Sequence, residues 1–225
     1  MLAERHAQIE RLCAALEGSA GSTGDLGVIT GGVACGKTEL LDVVSRRLGS
    51  TGIRVLRATC SPAEQALPYG MIDQLFRGLA LAGELPIMSE EIRKERESET
   101  PPLRLLHFFY EVLTILTAQH PVLLSVDGIE YADEHSLHCL LYLYRRIRTA
   151  PASILVTHTT KVETHTPAPL DELLHQARVA RVTVGPLTVD GVAQLLRGLP
   201  EGTDRAARDV WSLTGGNPLL VRALL

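Results

Sequence analysis

The chain has 225 residues, of which 45% are hydrophobic, enough to bury the core of one domain with room for a small appendage. Its formal net charge of -4 excludes the broadly basic surface on which sequence-independent nucleic-acid binding depends. Cys13, Cys35, Cys60 and Cys139 form no CxxC pair, which argues against a disulfide framework and for reduced thiols in a cytoplasmic compartment. Glu4, Arg5, Glu10 and Arg11 interrupt the segment where a signal peptide would need an apolar stretch, and no run is long enough to span a membrane.

Leu2, Ile9, Leu12 and Leu16 recur at helical spacing, and a Gly/Ser-rich loop from Gly18 to Gly24 then breaks the pattern. The apolar segment LGVIT (Leu26 to Thr30) predicts a strand, GGVACGKT follows at once, and ELLDVVSRRL predicts a helix that Gly49 and Gly52 stop. A second strand, Ile53 to Thr59, leads to a helix from Tyr69 to Ala82. The charged stretch from Ser89 to Pro102 reads as an exposed loop or short polar helix.

An amphipathic helix from Leu103 to Ala118 precedes PVLLSVD, whose almost unbroken apolar run suits a strand buried on both faces of a parallel sheet. A helix from Ser136 to Arg148, a strand from Ser153 to Thr157, a helix from Leu170 to Ala177 and a strand from Ala180 to Val184 continue the alternation. This order predicts an α/β fold, a three-layer arrangement around a parallel sheet. After Gly185-Pro186 only helical patterns remain, Val189 to Leu196 and Arg205 to Leu213. The expected division is therefore a core over 1–185 and a small C-terminal helical appendage over 186–225. The pattern at VRALL runs on without a stop signal, so the chain is expected to be a truncated piece of a longer protein.

Gly31-x-x-x-x-Gly36-Lys37-Thr38 matches the Walker A pattern and sits after an apolar strand and at a helix start, where a P-loop NTPase needs it. In such a loop, Gly31, Gly32, Val33, Ala34, Cys35 and Gly36 bring backbone N–H groups around the phosphates of ATP. Lys37 reaches the terminal phosphates, the Thr38 hydroxyl ligates Mg2+, and Glu39 opens the following helix beside the nucleotide. Cys35 invites a redox reading, but a loop side chain whose backbone does the binding is favoured. VLLSVD ends in Asp127, the Walker B arrangement that holds Mg2+ through water. An acid often follows that aspartate and serves the attacking water. Here Gly128 stands in its place, with Glu130 and Asp133 nearby, so strong ATP binding with slow hydrolysis is expected. Lys37, Asp127 and Glu130 are the candidate catalytic residues, and Thr38 and Asp127 the candidate metal ligands.

These residues resemble the nucleotide-binding domain of large ATP-binding LuxR-type transcriptional regulators, a branch of the signal-transduction (STAND) ATPases related to AAA+ and Orc1-like ATPase domains. The resemblance spans nearly the whole chain: the opening around Leu2 and Arg5, VLRATCSPAEQALPYGMIDQLF (Val55 to Phe76), VDGIEYADEHSLHCLLYLYRR (Val126 to Arg146) and TGGNPLLVRALL (Thr214 to Leu225). It implies an AAA+/STAND-like P-loop fold and a helical lid beginning near residue 186, in which Pro218 contacts the adenine or ribose. It also implies exchange between ATP and ADP, nucleotide-dependent self-association, and DNA contact only through a domain absent from this chain. Asn217 and Pro218 also make an ordinary N-cap and first helical residue. Thr159, Thr160 and Lys161 fall where the family often carries a phosphate-sensing arginine.

Other signals are weaker. His135, His138 and Cys139 share one helix face without a distant fourth ligand, which is poor zinc geometry and fits a partly buried helix surface. Arg145 and Arg146 fit a solvated last helical turn better than a group acting on a neighbouring subunit's phosphate. No GxSxG elbow marks a hydrolase nucleophile. The sequence leaves three functions to compare: a regulatory ATP switch, which the GGNP appendage favours, a P-loop kinase or other active NTPase, and a scaffold with a structural nucleotide.

Overall fold

The computed structural model describes residues 4–17, 26–81, 100–147, 150–160, 166–176, 179–196 and 204–224. Leu2, the loop from Gly18 to Gly24, nearly all of the Ser89 to Pro102 segment, and Lys161 lie outside the described residues.

Helix α1 (His6–Glu17) precedes β1 (Leu26–Gly31), and α2 (Lys37–Ser50) leads to β2 (Arg54–Thr59) and α3 (Gly70–Leu81). Helix α4 (Leu103–Thr117), β3 (Val122–Asp127), a 3-10 turn (Ile129–Tyr131) and α5 (Glu134–Arg146) follow. Strand β4 (Ala152–Thr159), α6 (Ala168–Leu174) and β5 (Val179–Val184) complete the sheet, and α7 (Val189–Leu196), α8 (Asp204–Thr214) and α9 (Pro218–Leu224) close the chain. The five strands run parallel in the order β2-β3-β4-β1-β5. Helices cover both faces, as the unbroken apolar strands require.

Period-two alternation divides the strand side chains between those faces. Ile29, Leu123 and Leu155 pack with Leu12 and Leu16 of α1 and Leu40, Val44 and Leu48 of α2. Val28, Leu124, Val126, Ile154 and Val156 pack against α3 to α6, including the stacked Phe76 and Phe109 at 5.4 Å. A third cluster, Leu187, Val192, Leu196, Ala207 and Val221, belongs to the helices after β5. The segment entering those helices is tied to both ends of the chain. Glu4 Oε2 accepts from Thr188 N–H at 3.0 Å, Arg5 donates to Gly185 O, and Leu187 N–H donates to Gly216 O at 2.7 Å.

Several boundaries shift by one to three residues from the sequence reading, helix α6 among them at Ala168–Leu174 where Leu170 to Ala177 is expected, and two of the shifts have a visible cause. Helix α5 begins at Glu134, not Ser136, because Asp133 is its N-cap and accepts from Ser136 N–H at 2.9 Å. The same carboxylate accepts from Tyr69 N–H at 2.8 Å and Met71 N–H at 3.3 Å, and Ser136 Oγ accepts from Ile72 N–H at 3.1 Å. One buried aspartate thus joins the starts of α3 and α5. Strand β4 runs to Thr159, beyond the expected end at Thr157, because its last residues pair with Thr30 and Gly31 of β1.

Candidate functional site

Strand β1 ends at Gly31, and the chain turns through Gly32 to Gly36 into α2. Ala34 and Gly36 both take left-handed φ values, 59° and 90°. Left-handed residues separated by ordinary ones curl successive N–H groups inward into a concave nest suited to an anion. Glycine meets that demand without strain at Gly36, whereas Ala34 adopts it with a side chain, a departure of the kind that accumulates at functional loops. Among the described residues no side chain caps α2, which leaves its start open to a phosphate.

An open cleft of about 400 Å³ lies over this turn. Ala34, Cys35, Gly36, Lys37, Thr38 and Glu39 line one side, with Asp42 and Arg46 further along α2, and Pro218, Leu219 and Arg222 of α9 line the other. The Lys37 ammonium donates to Gly32 O at 2.7 Å and Gly31 O at 3.3 Å, so it lies folded over the loop it serves. Across the cleft Arg222 pairs with Glu39 at 2.6 Å. Asn217 caps α9, its Oδ1 accepting from Leu219 N–H at 2.9 Å and Leu220 N–H at 3.4 Å, which places Pro218 at the first helical position as the sequence predicted.

Asp127 stands at the carboxyl end of β3, two strands from β1 and therefore roughly 10 Å from it by ordinary strand spacing. The side chains close that gap. The Thr38 hydroxyl donates to Asp127 Oδ2 at 2.8 Å, and Thr157 Oγ1, on the intervening strand β4, donates to Asp127 Oδ1 at 2.6 Å. A hydroxyl and a carboxylate joined at a helix N-terminus form the oxygen-rich donor set that Mg2+ prefers, and their fit to that ion is good.

The structure therefore places Lys37 and Thr38 in the cleft lining with Pro218, and Asp127, outside that lining, joins them through its hydrogen bond with Thr38. It does not bring every candidate there. Val33 is 75% exposed and outside the cleft lining, and Gly31 lies buried at the strand end. Glu130 is buried in the 3-10 turn, and its Oε2 has no hydrogen-bond partner among the described residues. Near it the His158 imidazole is pushed below its ordinary range, first by burial and further by Arg181 and Lys37, against the opposing pull of Glu130. Cys35 is buried at 8% exposure, which suits the loop reading over the redox one. Thr159 ends β4, Thr160 N–H donates to Gly31 O at 3.1 Å, and the Lys161 part of the expected sensor region lies outside the described residues.

Gly128 has a conformational reason as well as a chemical consequence. Its φ is 69°, and a Cβ there would stand 3.1 Å from Cys60 O. The turn thus favours glycine at this position. Sequence reading missed Thr157 and Arg222. Neither has a motif signature, since Thr157 matters only because β4 lies between β1 and β3, and Arg222 only because α9 faces α2 across the cleft.

The weaker signals resolve as packing. Cys139 is buried, His135 packs edge-on to Tyr69, and no group of three metal-binding side chains occurs among the described residues. Arg145 pairs with Glu172, and Arg146 lies over the Tyr142 ring at 3.4 Å. Among the described residues no helix is long and apolar enough to cross a membrane.

Comparison with known proteins agrees with this geometry. No curated protein matches the chain. Among solved structures it is similar to AMPPCP-bound DnaA from Aquifex aeolicus, at 15% identity and a TM-score of 0.57, covering 97% of this chain and 59% of that one. It is also similar to the Aeropyrum pernix ORC2 protein, at 15% identity in both forms. The ADP form gives a TM-score of 0.62 over 97% of this chain and 60% of that one, and the ADPNP-ADP complex 0.56 over 98% and 66%. The chain thus spans 59% to 66% of the length of these proteins, and at this identity the likeness shows the fold. Residues 2–157 match the AAA ATPase domain family, so with its P-loop turn and five-stranded parallel sheet, the chain belongs to that family.

Proposed function

We propose that this chain binds ATP with Mg2+ in the cleft between α2 and α9 and acts as a regulatory switch that turns ATP over slowly. The observation that carries this reading is the convergence of Lys37, Thr38 and Asp127 beside an uncapped helix start, with Pro218 closing the far side. In it, the nest from Gly31 to Gly36 holds the phosphates, Lys37 leaves Gly32 O for them, Thr38 and Asp127 hold Mg2+, and Pro218 meets the base or ribose. Bound Mg2+ would neutralise phosphate charge.

Residues 1–185 then form the ATPase core and 186–225 the start of a lid. The Glu39–Arg222 pair and the tie of Leu187 to Gly216 support coupling between the two. The resemblance to LuxR-type regulators suggests that the output is transcriptional, with DNA reading carried outside these 225 residues, self-association under nucleotide control, and a cytoplasmic setting consistent with four free thiols.

A second reading, an active NTPase or P-loop kinase, gains from Glu130, because a buried carboxylate oxygen without a partner is costly unless something engages it. ATP turnover measured with and without phosphate acceptors separates the two. Slow, acceptor-independent turnover supports the switch, and acceptor phosphorylation or rapid turnover supports the second reading.

A further inference from the structure

We propose that Thr157 is a positioning residue for the metal: its hydroxyl fixes one oxygen of Asp127 so that the other is presented to the magnesium ion of a bound nucleotide. The inference rests on the reading of the cleft as a magnesium-nucleotide site and adds to it a residue that no motif marks.

The direction of each hydrogen bond follows from donor inventory. Gly128 N–H, which can only donate, reaches Thr157 Oγ1 at 2.7 Å. The hydroxyl therefore accepts from the backbone and has its single proton to give, and it gives it to Asp127 Oδ1 at 2.6 Å. That distance belongs to charge-assisted hydroxyl–carboxylate bonds, which are about twice as strong as neutral ones. Thr157 is 1% exposed, so water does not compete for the hydroxyl.

The two oxygens of Asp127 are thereby unequal. Oδ1 is held by a buried group that also pins the backbone after β3. Oδ2 is held by Thr38, whose hydroxyl is itself a metal-ligand candidate and can exchange its proton contact for a lone-pair contact with a cation. Thr157 is the fixed anchor and Thr38 the exchangeable partner. Groups that orient a metal-binding carboxylate without touching the ion typically govern metal affinity by about 10- to 100-fold.

The test is equilibrium binding of a hydrolysis-resistant ATP analogue to the whole chain, with excess magnesium and with EDTA, in wild type, Thr157→Val and Thr157→Ser. The Val variant keeps the shape and loses the hydroxyl, and the Ser variant keeps the hydroxyl. The gain in affinity from magnesium should fall about 10-fold or more in Thr157→Val, while binding in EDTA stays within about twofold of wild type, and Thr157→Ser should recover the gain. If Thr157→Val does not fold, the same comparison is made between Thr157→Ala and Thr157→Ser. An undiminished magnesium gain in the hydroxyl-free variant, or a Ser variant that fails to recover it, overturns the proposal while leaving the nucleotide site standing. Wild type that binds no analogue in either condition removes the nucleotide reading itself.

Discussion

The Thr38 hydroxyl donates to Asp127 Oδ2 at 2.8 Å, joining the first turn of α2 to the end of β3 across 89 positions of sequence. This contact makes one site of two motifs that are separate in the chain. Thr38→Val should abolish most of the magnesium-dependent part of ATP affinity while leaving the metal-free part nearly intact. Titration with and without EDTA reads the difference directly, and equal losses under both conditions would place Thr38 on the phosphates instead of the metal.

Hydrolysis tests the role of Glu130. Gly128 supplies no acid after Asp127, so single-turnover hydrolysis of bound ATP should be slow, and Glu130→Gln should change it by no more than about twofold. General-base assistance is worth about 10²- to 10⁴-fold. A loss of that size in Glu130→Gln would identify Glu130 as the base and establish the active-NTPase reading. Gly128→Asp is the less clean variant, because φ of 69° and the nearby Cys60 O burden any side chain there.

Asp133 serves a different purpose. Its buried carboxylate accepts from Tyr69, Met71 and Ser136 N–H groups, and removal strands three donors at the starts of two helices. Asp133→Ala should cost about 2–4 kcal/mol of stability by denaturant unfolding, from the loss of a cap and of hydrogen bonds to a charged group. A change below about 1 kcal/mol would mean that water replaces the carboxylate at little expense.

His158 predicts a pH dependence. Burial depresses its folded-state pKa below the ordinary imidazole value of 6.5, so between those two values the unfolded chain binds the extra proton. Stability from this group is complete above pH 6.5 and falls as pH drops through 6.5 toward the folded value. Thermal melts between pH 8 and 5 should show that decline in wild type, and His158→Gln should flatten it. An unchanged decline in the variant would assign it to other groups.

Much of the fold is legible in sequence because apolar patterning and turn residues are local signals. PVLLSVD reads as a buried parallel strand, and Gly36-Lys37-Thr38 after LGVIT reads as a phosphate turn, without reference to the rest of the chain. Strand order is not local. Thr157 lies in an unremarkable SILVT strand and gains its role from the position of β4 between β3 and β1. The start of α5, expected at Ser136 and found at Glu134, is not a local property either. Asp133 and Ser136 are both good caps, and the choice depends on α3, whose Ile72 N–H engages the Ser136 hydroxyl. Burial of Glu130 likewise depends on how the 3-10 turn packs beside β4, which periodicity does not encode.

The most direct test of ATP binding at this cleft is thermal stability of wild type and Lys37→Ala, each with and without magnesium-ATP. Among the described residues the Lys37 ammonium hydrogen-bonds the loop carbonyls of Gly31 and Gly32 and no core group, so its removal should leave the fold intact. At a ligand concentration of a hundred times the dissociation constant, linkage stabilises the wild type by about 2.7 kcal/mol, or roughly 5 to 10 °C for a domain of this size. The predicted result is that shift in wild type and little or none in a folded Lys37→Ala variant at the same ATP concentration. Equal shifts in both proteins, or no shift in wild type at saturating ATP, would contradict it.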